Sequence, residues 1–203
     1  MRCFFRWDDK LVAEVKKHIR KAVSGVNAQR YFQESNYTSA IIARLDGTAY
    51  EGEFGNVTFR GTMVSGTGRK CAEKKYGADF AITAELTHIN RETRKKVILG
   101  QAKKGEVEKL RKSEKERLKG QITKMKDIVS SPVVLETPSK GTDMPTICSG
   151  NKVLNNSKYK RIPLDDFIVD RVMTCFHGNT NKKIVTAVED SQLSTLSIIA
   201  YIK

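Results

Sequence analysis

Gly77-Ala78-Asp79-Phe80-Ala81-Ile82 and Leu99-Gly100-Gln101-Ala102-Lys103-Lys104 are the two stretches on which the fold turns. Each sits in a strand-like run, Ala78 to Leu86 and Val97 to Lys103, with a polar connection rich in Asn, Arg, Glu and Thr between them. If the runs pair through a turn near Asn90 to Glu92, facing positions sum to about 182. Asp79 then falls opposite Lys103, with Gln101 diagonally across. Alternation along the strands puts all three side chains on one face, and a slip of one residue would separate them.

Such a trio has a chemical use. The Asp79 carboxylate, the Gln101 amide oxygen and the Ala102 backbone carbonyl are hard oxygen donors, suited to Mg²⁺ or Mn²⁺. A metal in that position acidifies a bound water and screens a phosphate, and Lys103 can orient the water or stabilise charge gathering on phosphorus. The same residues also make sense as a cross-strand ion pair on a charged sheet edge. Glu85 shares the Asp79 face but stands six residues on, roughly 20 Å away, too far to share one ion.

Outward from the hairpin, helical spacing of Leu11, Val12, Val15, Ile19 and Val23 predicts a helix from Asp9 to Ser24. Acidic residues open it, basic ones load its end and Gly25 stops it. Asn27 can cap a second helix reaching Leu45, with Tyr31, Phe32, Ile41, Ile42 and Leu45 as its buried stripe. Glu34 falls within that stripe. A carboxylate there either meets a cation or reaches out to water.

Tyr50 to Phe54 and Val57 to Ser65 read as a hairpin about Gly55-Asn56. Gly66 to Gly77 is loop-like. Glu106 to Val129 reads as a basic helix that Gly120 bends or breaks. Pro132 to Thr137, Met144 to Cys148 and Leu196 to Ile202 are further strands, and Leu164 to Phe176 is a helix. The expected class is α/β with a central mixed sheet flanked by helices.

Gly77-Ala78-Asp79-Phe80, a hairpin, then Gln101-Ala102-Lys103 resembles the PD-(D/E)xK nuclease superfamily, with Gln101 in place of the more usual acid. The resemblance implies a restriction endonuclease-like core of a helix, three strands, a helix and a strand, through which Asn27 to about Thr137 threads in order. It implies one domain over residues 1–203: an N-terminal helix (1–26), a catalytic core (27–137) and a C-terminal extension packed on the core (138–203). It implies Asp79, Gln101, Lys103 and Glu34 as the catalytic set, the last because the family often places an acid on the helix before the sheet. Asp79, Gln101, Ala102 and Glu34 would hold the metal. Gln121-x-x-Lys124-Met125, followed by Val133-Val134-Leu135 and a Gly141 turn, is similar to the tail of bacterial nucleases of this superfamily, which implies a role in defence against foreign DNA.

Charge points the same way. The chain of 203 residues carries a net charge of +14, which favours a polyanionic partner: nucleic acid first, an anionic membrane surface second. A purely solubilising surplus would look the same. Lys109, Arg111, Lys112 and Lys115 on the helix after the motif, with Lys104, Arg69 and Lys70, are the candidate phosphate contacts. The sequence does not separate DNA from RNA, and a single cutting centre that severs both strands would act as a homodimer.

Cys3, Cys71, Cys148 and Cys175 are scattered, with only His18, His88 and His177 to help, which argues against zinc and for reduced thiols. With no apolar run near the roughly 18 residues a span needs, and acids following Met1-Arg2-Cys3-Phe4-Phe5-Arg6-Trp7, the expected location is the cytoplasm. A nucleic-acid-binding module without catalysis, or a regulatory subunit with an incidental basic surface, are the other readings that the composition permits.

Overall fold

The computed structural model describes residues 7–63, 75–89, 93–174 and 176–203. The candidate phosphate contacts Arg69 and Lys70, the proposed turn at 90–92, and Cys3, Cys71 and Cys175 lie outside the described residues.

The architecture is α/β, built on one mixed sheet of eight strands in the order β1-β2-β8-β3-β4-β5-β6-β7. The strands are β1 (Gly47–Gly52), β2 (Gly55–Thr62), β3 (Phe80–His88), β4 (Arg94–Lys104), β5 (Val133–Thr137), β6 (Thr146–Ser149), β7 (Ile162–Pro163) and β8 (Ser194–Ile202). β3 runs antiparallel to β4 and parallel to β8, and β4 runs parallel to β5.

Helices cover both faces. On one side α1 (Asp9–Ser24) and α2 (Glu34–Leu45) bury Leu11, Val15, Ile19, Ile41 and Leu45 against Phe80, Ile82 and Leu86 of β3 and Ile98 and Ala102 of β4. On the other, α3 (Lys112–Lys126), α4 (Gly150–Leu154) and α6 (Lys182–Glu189) enclose Leu118, Ile122, Met125, Val153 and Val188 with Ala81, Val97 and Leu99. A short helix α5 (Leu164–Phe167) continues as a π turn (Ile168–Met173) against the first layer. Burial on both faces explains why β4 reads as an unbroken apolar run rather than an alternating one. Among the described residues no helix is long and apolar enough to cross a membrane.

α1 matches the expected range, with the Asp8 side chain accepting a hydrogen bond from the Lys10 amide at 2.8 Å as its N-cap. The second helix does not run from Asn27. Asn27 caps a single 3-10 turn (Ala28–Arg30), Tyr31 and Gln33 are extended, and the α-helix begins at Glu34. The break removes Phe32 from the buried stripe and leaves it 97% exposed. It also puts Glu34 in the first turn, where the helix dipole favours its charge.

The first hairpin turns through Glu53-Phe54, not Gly55-Asn56, since Gly52 pairs with Gly55. The basic helix starts at Lys112 after a 3-10 turn (Val107–Lys109), and it passes through the exposed Gly120 unbroken. Residues 138–203, expected to pack on the core as an extension, instead send β8 into the middle of the sheet. There it separates β2 from β3, so the three strands threaded in order are not contiguous in space.

The β3–β4 register corrects the expected pairing. Phe80 faces Gly100, so facing positions sum to 180. The ladder is shifted by two residues from that expected, an even slip that exchanges partners but not faces. Gly100 is needed for this packing: a β-carbon there would lie 2.2 Å from the tip of the Phe80 ring. Gly100→Ala should therefore cost about 1–3 kcal/mol through overpacking, read as a lower urea midpoint at unchanged slope. A wild-type midpoint would refute this contact.

Candidate functional site

β4 outruns β3. The antiparallel ladder ends at Phe80–Gly100, with the Asp79 amide donating to the Gly100 carbonyl at 2.9 Å, while β4 continues to Lys104 beside β5. The next two β4 amides on that edge, those of Ala102 and Lys104, would lack strand partners. Side chains meet them instead. Asp79 Oδ2 accepts from the Ala102 amide at 2.9 Å, and Glu34 Oε1 accepts from the Lys104 amide at 3.4 Å. These amides are roughly 6.6 Å apart along the strand. Backbone alternation turns the Ala102 carbonyl to the same edge, between the two carboxylates.

Asp79 is also bound from the side. Gln101 Nε2 donates to Asp79 Oδ1 at 3.0 Å and to the Gly77 carbonyl at 2.9 Å. Gly77 has φ +69°, a left-handed turn that presents this carbonyl, and a β-carbon there would meet the Gln121 carbonyl of α3 at 2.6 Å. Gln101 is fully buried, and its Oε1 has no hydrogen-bond partner. An orphaned buried amide oxygen costs about 1–3 kcal/mol unless something meets it.

Extending the register, Asp79 stands opposite Gln101 rather than Lys103, and Lys103 follows two residues further along the same face. The layer covering that face includes α3, the helix after the motif. Glu34 reaches the strand end from the opposite layer, through α2. Among the described residues no three His, Cys, Asp or Glu side chains come together as a metal cluster. The oxygen donors at the β4 edge are two carboxylates, one amide and one carbonyl.

Beyond the carboxyl ends of the parallel strands β4 and β5 opens a groove of about 1010 Å³. Ligands favour this location in α/β sheets. Lys104, Lys109, Arg111, Lys140 and Arg161 line it, together with the acids Glu34, Glu106, Glu114, Glu136 and Asp143. Among the expected phosphate contacts, Lys104, Lys109 and Arg111 thus share one groove. Lys109 is held by Glu106 at 2.5 Å, which also draws the Glu106 carboxyl below its usual range. Lys112 is exposed on α3, and Lys115 points elsewhere, donating to the Glu108 carbonyl at 2.6 Å.

The feature that sequence reasoning missed is Glu136 on β5, which neighbours Lys103 in the ladder. Its carboxylate is 4% exposed and accepts from the Val107 amide at 2.8 Å, Thr146 Oγ1 at 3.2 Å and Arg161 Nε at 2.6 Å. Arg161 also binds Glu108 and Glu106. Its guanidinium pKa rises further, first through the hydrogen bond to Glu136. No spacing signal joins positions 136 and 161. The only hint was a lone acid in the apolar run Val133-Val134-Leu135-Glu136.

No family model matches the chain, and neither a curated protein nor a solved structure shows significant similarity to it. The site therefore rests on its own geometry. Arg161→Leu should strand a buried carboxylate and destabilise the fold by about 2–4 kcal/mol in urea titration, with Glu136→Gln in the same chain recovering part of the loss. Equal stability of Arg161→Leu and wild type would show that Glu136 is satisfied without it.

Proposed function

We propose that the chain is a divalent-metal-dependent nuclease with a restriction endonuclease-like core, hydrolysing phosphodiester bonds of DNA. One observation carries this reading: Asp79, Gln101, Ala102 and Glu34 converge on a single stretch of β4 edge. The donor set fits Mg²⁺ or Mn²⁺, being all oxygen and doubly anionic. The orphaned Oε1 of Gln101 supports the fit. Turning that amide over brings its oxygen beside Asp79, a repulsive contact that a cation converts into joint ligation.

Asp79, Gln101, Ala102 and Glu34 are the residues that would hold the ion. Held by these residues, a divalent ion would supply a more acidic bound water and charge to offset that of the scissile phosphate. Lys103, on the Asp79 face, supplies an ammonium that attracts the phosphate and donates hydrogen bonds to oxygens gaining negative charge. Asp79 keeps its orientation through the Ala102 amide. Lys104, Arg111 and Lys140 around the groove grip neighbouring phosphates, fixing the strand without reading its sequence.

A second reading, a nucleic-acid-binding module without catalysis, is favoured by one fact. Both Asp79 oxygens already accept hydrogen bonds from the chain itself, from Gln101 and Ala102. Cleavage of plasmid DNA with and without Mg²⁺ or Mn²⁺ separates the two readings, and retained DNA binding in EDTA without any cleavage would establish the second.

In the cleavage assay Asp79→Ala should lose all activity. Lys103→Ala should lose cleavage yet retain metal binding, since an ammonium repels the ion. Gln101→Glu should retain cleavage and bind Mg²⁺ more tightly, and Glu34→Gln should require more metal. Full activity in Asp79→Ala would refute the site. In gel-shift titrations without metal, Lys104→Ala, Arg111→Ala and Lys140→Ala should each flatten the dependence of log affinity on log salt by about one unit. Unchanged slopes would place the nucleic acid elsewhere.

A further inference from the structure

A second concavity, of about 290 Å³, lies between α3 and α4, away from the β4 edge. Its floor is apolar, made by the buried side chains of Val107, Leu118 and Val153. Its rim is basic: Lys115 and Lys119 rise from α3, one helical turn apart, and Lys152 and Lys158 face them from α4 and the segment after it. Among the described residues Glu108 is the one acid in the lining, and its carboxylate is taken by Arg161.

The wall is rigid. α4 ends in a left-handed cap at Asn156, φ +51°, with the Asn156 amide donating to the Val153 carbonyl at 3.2 Å and the Ser157 amide to the Lys152 carbonyl at 2.9 Å. This turn sends Ser157 and Lys158 back along the pocket. Lys115 and Lys119 are engaged by the Glu108 carbonyl and by Glu116. Lys152 and Lys158 are exposed and pair with no acid among the described residues.

We propose that this pocket binds a nucleoside monophosphate, its flat apolar body on the Val107–Leu118–Val153 floor and its phosphate between Lys152 and Lys158. An apolar floor under a basic rim, with Lys152 and Lys158 paired to no acid among the described residues, fits a ligand that joins a planar ring to an anion. The volume, at the small end for ligand pockets, admits one nucleotide and excludes a duplex. Free nucleotide and the 5′-phosphorylated end of a DNA strand present this same chemistry. The inference does not depend on the nuclease reading.

Calorimetric titration of the full chain with AMP, adenosine and inorganic phosphate, at physiological salt, tests it. AMP should bind saturably at one site, while adenosine and phosphate each bind far more weakly. Lys152→Glu with Lys158→Glu should weaken AMP binding about tenfold or more. The pair Lys10→Glu with Lys183→Glu, which changes net charge equally, should leave it intact. Both pairs lie at exposed positions, and an unchanged melting temperature confirms that they fold. Displacement of AMP by a 5′-phosphorylated trinucleotide, but not by its 5′-hydroxyl form, assigns the pocket to strand ends; no displacement assigns it to free nucleotide. Absence of saturable binding by both AMP and the phosphorylated trinucleotide overturns the proposal. So does equal weakening by the control pair, because binding would then be diffuse attraction.

Discussion

The hydrogen bond from the Ala102 amide to Asp79 is the contact around which the candidate site is organised. β4 must run past β3 to lie fully beside β5, and a strand that outruns its neighbour exposes amides that need acceptors. Asp79 supplies one acceptor and Glu34 the next. A backbone requirement thus draws two carboxylates to one strand edge, Asp79 from just before β3 and Glu34 from α2.

Packing holds this arrangement in place. Gly100 lets the Phe80 ring lie against β4, and Gly77 lets the chain turn tightly under α3 before Asp79. Gln101 Nε2 bridges the Gly77 carbonyl and Asp79. On the neighbouring strand, Glu136 and Arg161 tie the segment after β4 to the far edge of the sheet. The buried Glu136 carboxylate thus fixes Arg161 at the groove beyond the strand ends.

Basic side chains gather at two places, the groove, where acids balance them, and the smaller pocket, where lysines outnumber the acid. Lys104, Lys109, Arg111 and Lys140 surround the groove, whereas Lys115, Lys119, Lys152 and Lys158 surround the smaller pocket. The sequence presents α3 as one basic helix. In three dimensions its residues serve different surfaces, because Arg111 caps the helix at the groove while Lys115 and Lys119 lie one turn and two turns further, toward α4.

What the sequence alone determined is local. The spacing of Leu11, Val15 and Ile19 fixes α1, the apolar runs mark β3, β4 and β5, and alternation places Asp79, Gln101 and Lys103 on one face whichever even register is taken. The two-residue register shift was not legible, since an even slip preserves every face and is decided by how the Phe80 ring meets Gly100. The helix break at Tyr31–Gln33 was not legible either, because Tyr31 and Phe32 fit a helical stripe although Tyr31 and Gln33 are extended. Tertiary structure alone decided that β8 enters the middle of the sheet and that Arg161 reaches Glu136. It also brought Glu34 to the end of β4. Each of these joins residues far apart in the chain, and local periodicity carries no information about which distant strand edge or buried charge a segment will satisfy.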